Sequence, residues 1–174
     1  MTGQLARSFL YAVALGSNRG GRVAATPRGM IGAALDALDI GPLSLLDASP
    51  LIDSAPLGPS ARRYVNCAAL VASALAPDAL LEKLHEIEAA LGRKRHARWG
   101  PRVIDLDLIL WSEGSFVGGG GVVPHPAFRT RDFVLRPLCA IAPEWHDPVS
   151  GHTMRQLRAR LARAKPVDRS RAPH

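Results

Sequence analysis

The sequence has few cysteines, few aromatic residues and no long uninterrupted apolar run. Its two cysteines, Cys67 and Cys139, lack a CxxC spacing and lie among apolar residues. We therefore expect two buried thiols in a reducing compartment, and neither a disulfide nor a thiolate metal site. No apolar run approaches the roughly 18 residues of a membrane span, and the first residues do not follow the pattern of a signal peptide. These absences predict a cytoplasmic protein without a membrane segment.

Acidic residues are also fewer than basic ones, and the formal net charge is +7. The excess is concentrated in residues 152–174, which contain seven basic residues and a single acid, Asp168. No aromatic residue is interleaved with these cations. Such a segment is typical of a solvated helix and a loose tail more than of a nucleic-acid groove. We expect no nucleic-acid partner.

The length of 174 residues with 47% apolar content is enough for one core and short for two domains. Periodicity and turn residues predict strands at 9–15, 43–52, 64–72 and 103–111. They predict helices at 30–38, at 77–91 and from about Thr153, a short apolar stretch at 133–141 and a glycine-rich turn at 118–121. This irregular alternation indicates an α+β fold, with a largely antiparallel sheet and helices packed on it.

Two acids interrupt the apolar strand at 103–111. Because side chains alternate along a strand, Asp105 and Asp107 share one face while Ile104, Leu106 and Leu108 share the other. Two residues of rise separate the carboxylates by roughly 7 Å, a spacing that suits a pair of divalent ions about 4 Å apart. Oxygen ligands favour magnesium. The alternative is that both acids lie on the solvent face of an edge strand, although Asp is a poor strand former.

A run of cations precedes these acids: Arg93, Lys94, Arg95, Arg98 and Arg102. A run of this kind is often a solvated loop, and cations after a helix C-terminus are mildly stabilised by its dipole. Next to two metal-binding acids, however, guanidinium groups are what polyphosphate transfer requires, because they neutralise charge on the transferred and leaving groups. We favour this second interpretation.

Four motifs in this order resemble the 6-hydroxymethyl-7,8-dihydropterin pyrophosphokinase family. They are Gly16-Ser17-Asn18, Tyr64-Val65-Asn66, the string from Arg98-Trp99-Gly100-Pro101-Arg102 to Asp105-Leu106-Asp107, and Pro124-His125-Pro126. The resemblance covers roughly residues 9–157 and is that of a stand-alone enzyme. It implies a single domain over 1–174, in which 158–174 form a basic helix end and tail.

The resemblance implies a ferredoxin-like α+β fold and an ATP- and magnesium-dependent diphosphokinase of folate biosynthesis. Such an enzyme transfers the diphosphate of ATP to the hydroxymethyl group of the pterin and releases AMP. Asp105 and Asp107 match the acids that hold two Mg²⁺ ions, and Arg93 and Arg102 match the catalytic arginines. The implied partners are the two small-molecule substrates, with no membrane or nucleic acid, and the implied state is a monomer.

The resemblance also implies two sets of binding residues. The ATP set comprises His85, Glu88, Arg95, Arg98, Trp99, Arg102, His125 and Arg131. The pterin set comprises Ser54, Ala55, Leu57, Tyr64, Asn66, Trp99 and Phe133. Some of these residues have a structural alternative: His125 as a turn residue beside prolines, the aromatic residues as core, and Glu88 as a surface ion-pair partner.

The sequence departs from the family pattern in three loops. Gly21 stands where an acid is common, Arg62-Arg63 replace a usual Gln-Pro, and Gly118 to Gly121 replace a more ordinary strand. Glycine gives a loop more conformational freedom. We therefore expect mobile loops that become ordered when ATP binds and exclude water.

Two other functions compete with the enzyme. An RNA-binding α+β domain would use the 93–102 loop and the basic tail, but the paired carboxylates would repel phosphates unless a metal is bound. A pterin or nucleotide sensor would keep the fold without the chemistry, which the intact acids and arginines disfavour.

Overall fold

The computed structural model describes residues 8–55, 62–93 and 102–164. The strands are β1 Phe9–Ser17, β2 Leu43–Ala48, β3 Ile52–Ser54, β4 Tyr64–Ser73, β5 Asp105–Trp111, β6 Phe116–Gly118 and β7 Gly121–Val123. The helices are α1 Pro27–Ala37, α2 Pro77–Ala90, α3 Asp132–Ile141 and α4 Met154–Ala164, with a 3-10 helix, η1, at Phe128–Thr130.

A central antiparallel sheet organises the described part of the chain. Its strand order is β2-β4-β1-β5, with β3 also paired to β4. The order of elements β1-α1-β2-β4-α2-β5, combined with this strand order, is the ferredoxin-like arrangement. The predicted fold class is therefore confirmed.

Hydrophobic clusters cover both faces of the sheet. Leu15 and Val13 of β1 pack with Met30 of α1 and Leu84 of α2 on one face. On the other face, Ala12 and Ala14 of β1 pack with Leu135 of α3 and Met154 of α4. Since β1 contributes to both clusters and pairs on both edges, it is the centre of the fold.

The strand predicted at 43–52 is interrupted, and forms β2 and the start of β3. Pro50 lacks an N–H group for the ladder, and Ser49 maintains contact with β4 instead. Its N–H donates to the Ala68 carbonyl at 2.9 Å, and its hydroxyl accepts from the Ala68 N–H at 3.0 Å. The chain therefore bends at Ser49 without leaving its partner strand.

The helices begin and end close to the predicted bounds, with one addition. Thr26 caps α1 by accepting the Gly29 N–H at 3.1 Å, and Pro77 begins α2 as predicted. The apolar stretch at 133–141 proves to be the helix α3, whose first turn contains Asp132. In the described ranges, no helix has both the length and the apolar character needed to cross a bilayer.

The cysteine and glycine predictions have different outcomes. Cys67 is buried as predicted, whereas Cys139 is only half-buried, so the expectation of two buried thiols is wrong for Cys139. Cys139 lies on α3 near the side that faces α4, where its helix is incompletely covered. The glycine-rich turn at 118–121 connects β6 to β7, and the positive φ of Gly121 (153°) is a conformation that favours glycine.

Candidate active site

A row of neighbouring residues across three strands brings the predicted metal and pterin residues together. Gly16 of β1 pairs with Asn66 of β4 on one side and with Asp105 of β5 on the other. Directly paired residues present their side chains on the same face of a sheet. Two strand spacings separate Asn66 from Asp105 by about 10 Å at the backbone. We call Asn66, Gly16 and Asp105 the site row.

The two acids of β5 share a face, as the alternation predicts. Leu106 and Leu108 belong to the buried cluster on the opposite face, and Asp105 and Asp107 are partly exposed. Asp107 pairs with Ala14, so it lies two residues along the strand from the site row and on the same face. The alternative of an acid on an open solvent face is wrong for Asp105, whose side chain is only 13% exposed.

Two of the predicted arginines surround Asp105. Arg102 Nη1 lies 2.7 Å from Asp105 Oδ2, and Arg93 Nη2 lies 3.0 Å from Asp105 Oδ1. Burial raises the pKa of Asp105 and the charge of Asp107 adds to this effect, while both arginines oppose it. The hydrogen bond to Asp105 in turn raises the pKa of Arg102. Two of the predicted cations, Arg93 and Arg102, are therefore in contact with one of the two acids, Asp105.

The donor set around Asp105 fits a magnesium ion. Although Arg93 lies nearby, the buried Asp105 Oδ1 accepts no well-aligned hydrogen bond from the described residues. Within the same ranges, no group of three or more His, Cys, Asp or Glu side chains could form a complete metal site. Magnesium is commonly held by one or two carboxylates, with substrate phosphates and waters completing the shell, so a two-carboxylate donor set is sufficient.

Glu88 of α2 holds the backbone of β5 next to the two acids. Its side chain is 3% exposed and accepts the Leu106 N–H at 2.6 Å, the amide between the two acids. The same oxygen, Oε1, forms an ion pair with Arg93. Burial raises the pKa of Glu88, while Leu106 and Arg93 oppose the shift. The prediction that Glu88 faces the nucleotide and the alternative of a surface ion pair are therefore both corrected, since the carboxylate holds protein groups in the interior.

The Gly16-Ser17-Asn18 motif has a contact role that the sequence did not reveal. The Ser17 hydroxyl donates to the Val103 carbonyl at 2.6 Å, and Asn18 Oδ1 accepts the Arg102 N–H at 2.9 Å. Both residues are buried. The end of β1 therefore holds the segment that enters β5 and, with it, the backbone of Arg102. Two consecutive polar residues at the end of an otherwise apolar strand were the available sequence signal.

The pterin residues in the described ranges lie on or directly after β3, on β4 and on α3. Asn66 Nδ2 donates to Ser54 Oγ at 2.8 Å, and Ser54 pairs with Tyr64 across the strands. Tyr64 is half-buried, and burial raises its pKa. Phe133 is also half-buried, at the start of α3, which packs against β4 and contacts β3. Ala55 directly follows β3 and is exposed.

Two of the predicted nucleotide residues, His125 and Arg131, lie in the segment between β7 and α3. His125 is half-buried, and its Nδ1 accepts the Ala127 N–H at 3.3 Å. Arg131 precedes α3, and its carbonyl accepts the Leu135 N–H at 3.0 Å. Its guanidinium lies 5.9 Å from the Phe133 ring. Elsewhere in the described ranges, Glu88 and Arg102 surround Asp105 or its strand as described above, and His85 is exposed on α2. Leu57, Arg95, Arg98 and Trp99 lie outside the described residues, so their predicted roles are untested.

Comparison with known proteins identifies the family. A family model described as 7,8-dihydro-6-hydroxymethylpterin-pyrophosphokinase matches residues 12–143, which is well over half of the chain. The chain belongs to this family. Membership in the hydroxymethylpterin pyrophosphokinase family confirms the predicted resemblance and the diphosphokinase class.

Individual relatives agree with this family. The 2-amino-4-hydroxy-6-hydroxymethyldihydropteridine pyrophosphokinase of Pseudomonas aeruginosa is 44% identical over 149 residues, covering 84% of this chain and 89% of that protein. The Synechocystis protein of the same name is 42% identical over 104 residues, covering 60% of this chain and 53% of that protein. The Pseudomonas coverage fits the stand-alone form of a hydroxymethylpterin pyrophosphokinase.

Solved structures agree with the fold of the family. The crystal structure of Plasmodium falciparum HPPK-DHPS wild type with SDX-DHP superposes with a TM-score of 0.70 at 12% identity. The match covers 88% of this chain and 44% of that chain, so the present chain spans less than half of the solved one. At this identity the likeness bears on the hydroxymethylpterin pyrophosphokinase fold alone.

Proposed function

We propose that the protein transfers the diphosphate of ATP to the hydroxymethyl group of 6-hydroxymethyl-7,8-dihydropterin, yielding AMP and the pterin diphosphate for folate biosynthesis. The site row supports this proposal, because Asn66, which we predict to bind the pterin, and Asp105, which we predict to bind metal, flank Gly16 on one face of the sheet. The proposal includes two Mg²⁺ ions, a cytoplasmic location, a monomeric state and no partner other than the two substrates.

Asp105 and Asp107 are the residues that would hold magnesium. Bound magnesium supplies charge neutralisation on the phosphate oxygens and lines up the attacking and leaving groups. The protein's own part is to present two carboxylates at a fixed spacing, and the Leu106 amide between them is held by Glu88. A rigid backbone between the ligands reduces the reorganisation that binding would otherwise require.

The arginines of the site neutralise charge on the triphosphate. Arg93 and Arg102 already lie against Asp105, so their guanidinium groups are beside the position where phosphate charge develops. Arg95, Arg98 and Arg131 complete this role in the proposal, and His85 and Trp99 belong to the same nucleotide side. With Nδ1 of His125 accepting a backbone N–H, the hydrogen of the neutral ring is on Nε2, which is then available to donate to a phosphate oxygen.

The acceptor substrate requires a flat slot with polar edges. In the proposal, Tyr64 and Phe133 contact the faces of the pterin ring, joined by Trp99. Asn66 and Ser54, which are hydrogen-bonded to each other, form hydrogen bonds with the polar edge of the ring in this proposal. Backbone groups of Ala55 and Leu57 contact the same edge. The hydroxymethyl arm then extends along the site row toward Asp105.

The products of the reaction test this function. Incubation of the protein with ATP, Mg²⁺ and 6-hydroxymethyl-7,8-dihydropterin should give AMP and the pterin diphosphate in equal amounts. Asp105→Asn and Asp107→Asn should each lower kcat by about a thousandfold or more, because each removes a metal ligand and its charge. Asp36→Asn, on the exposed surface of α1, is the matched control and should retain full activity. ADP as the nucleotide product, or full activity in either site variant, would refute the proposal.

A further inference from the structure

Asp147, between α3 and α4, is a fully buried acid outside the site described above. Its side chain is 0% exposed. It accepts the backbone N–H groups of Val149 and Ser150, each at 3.2 Å, and the Ser150 hydroxyl. Arg129 supplies two further donors, Nε at 2.7 Å and Nη2 at 2.6 Å. The carboxylate is therefore saturated with hydrogen bonds, and a bidentate ion pair is its connection to a distant part of the chain.

That connection ends on η1, the 3-10 helix between His125 and Arg131. Arg129 is the middle residue of η1, and its guanidinium also lies 4.7 Å from the ring of Phe128. Phe128 is fully buried beneath α3 and α4. Arg129 is therefore fixed from two sides, by the ring of Phe128 and by Asp147.

The segment has little internal structure to set its own orientation. Among its backbone bonds, the Phe128 N–H donates to the His125 carbonyl at 3.2 Å, and the Arg131 N–H donates to the Phe128 carbonyl at 3.2 Å. Together with the Thr130 N–H, which donates to the Ala127 carbonyl at 3.3 Å, these bonds form a short run of 3-10 turns, and short 3-10 helices are weakly stable alone. Its two ends are bonded to the rest of the fold, since the His125 N–H donates to the Ile109 carbonyl at 3.2 Å and the Arg131 carbonyl accepts from α3. The orientation of the turn between these ends depends on its own anchor, Arg129.

A buried ion pair is weak support for stability, since apolar residues of similar volume often stabilise a fold as well. It provides a fixed direction, because a bidentate guanidinium–carboxylate pair has one preferred geometry. We propose that Asp147 is a positioning residue for nucleotide binding, which acts through Arg129 to fix the segment that carries His125 and Arg131. This proposal rests on the proposed function, in which those two residues contact ATP.

Two variants weaken the connection from opposite ends. Arg129→Lys keeps the charge and loses the bidentate geometry, and Asp147→Asn keeps the shape of the acid and loses its charge. Both should raise KM for ATP about tenfold and leave KM for the pterin within twofold, because a displacement of about 1 Å at the nucleotide residues is sufficient for such a loss. The double variant should lose less ATP binding free energy, calculated from KM, than the two single variants together, since both substitutions act through one contact.

The exposed ion pair between Arg155 and Glu144 provides matched controls. Both side chains are 68% exposed, and Arg155→Lys and Glu144→Gln make the same chemical changes away from η1. Neither should change either KM. A lower melting temperature for Asp147→Asn or Arg129→Lys with both KM values unchanged, or with both raised equally, would overturn the positioning role.

A binding measurement separates this inference from the proposed function. Calorimetry with an ATP analogue whose α–β bridging oxygen is replaced by methylene needs no turnover. Arg129→Lys should weaken analogue binding about tenfold relative to Arg155→Lys. If the wild-type protein forms no AMP but the analogue result holds, the proposed reaction fails and the positioning role stands. If AMP forms normally and analogue affinity is unchanged in Arg129→Lys, the positioning role alone fails.

Discussion

Gly16 stands at the centre of the site row without a side chain. Glycine inside a strand normally costs about 0.5–1 kcal/mol relative to alanine. A Cβ added here would lie 3.5 Å from Asn66 Oδ1, which is ordinary van der Waals contact. The fold therefore has room for a methyl group at this position. That group would stand between Asn66 and Asp105, in the space that the proposed acceptor arm crosses.

Gly16→Ala should separate folding from substrate binding. We expect an unchanged or slightly higher free energy of unfolding and an increase of about tenfold in KM for the pterin, because the methyl group occupies space needed by the substrate. Steady-state kinetics and urea denaturation measure the two effects. Gly32→Ala, in α1 with nothing within 4 Å of the added Cβ, is the control and should leave the kinetics unchanged. An unchanged pterin KM in Gly16→Ala would contradict this account of Gly16.

The residue-level predictions succeeded where local periodicity determines orientation. Alternation alone placed Asp105 and Asp107 on one face, and the structure confirms it. The burial of Glu88 had a helical signal that was not used, since Glu88 follows Leu84 by four residues and therefore lies on the same apolar stripe. The ion pair between Asp147 and Arg129 had no local signal, because residues 18 positions apart meet only through the packing of α3 and α4.

At the scale of elements, Glu88 links α2 to β5. The helix presents a carboxylate to an amide of an edge strand, and the same carboxylate holds Arg93 just beyond the end of the helix. A strand with one bonded neighbour gains a second support from this contact. The position of Asp105 and Asp107 therefore depends on how α2 is packed as well as on the ladder with β1.

Glu88→Gln should reduce both stability and activity. The amide can still accept the Leu106 N–H, but the charge that pairs with Arg93 is lost. We expect the free energy of unfolding to fall by about 1–3 kcal/mol and kcat to fall with it, because a hydrogen bond to a buried charged group is weakened. Urea denaturation and the AMP assay measure these effects. Glu86→Gln, whose side chain is 66% exposed and pairs with Lys83, is the control and should change neither quantity. Equal stabilities for the two variants would argue against the link.

Element boundaries were predictable where a stop signal lies in the sequence. Pro77 and Gly92 bracket α2 almost as expected. The division between β2 and β3 was missed because both segments are strand-like, and the interruption depends on how Ser49 bonds to Ala68. Helix α3 was expected only as an apolar stretch, since ten largely apolar residues do not distinguish a helix from a buried strand.

At the scale of the whole molecule, Asp147 makes the free energy of unfolding depend on pH. Burial alone would raise its pKa, but hydrogen bonds from Arg129, Ser150 and Val149 outweigh this effect and lower the pKa from 3.8 to about 2. A carboxyl whose folded pKa lies below its unfolded value stabilises the fold above the unfolded pKa. This stabilisation is lost as the pH falls through the folded pKa.

Wild-type protein should therefore lose about 2 kcal/mol of stability from this group as the pH falls from about 4 to about 2. Asp147→Asn lacks a titrating group at this position. The difference in free energy of unfolding between this variant and the wild type should therefore change by that amount across the same pH range. Urea denaturation at several pH values measures the difference. Glu144→Gln provides the comparison for an exposed acid. Parallel pH profiles for wild type and Asp147→Asn would show that Asp147 does not titrate as described.

The central position of β1 has a consequence for how the substrates meet. Because β1 is hydrogen-bonded to β4 and β5 along both edges, the distance from Asn66 to Asp105 is fixed by the pairing of the three strands. Under the proposed function, an acceptor molecule with a longer or shorter arm would place its hydroxyl too far from or too close to Asp105, whatever its affinity for the proposed pterin slot. Selection by reach is then separate from selection by ring shape.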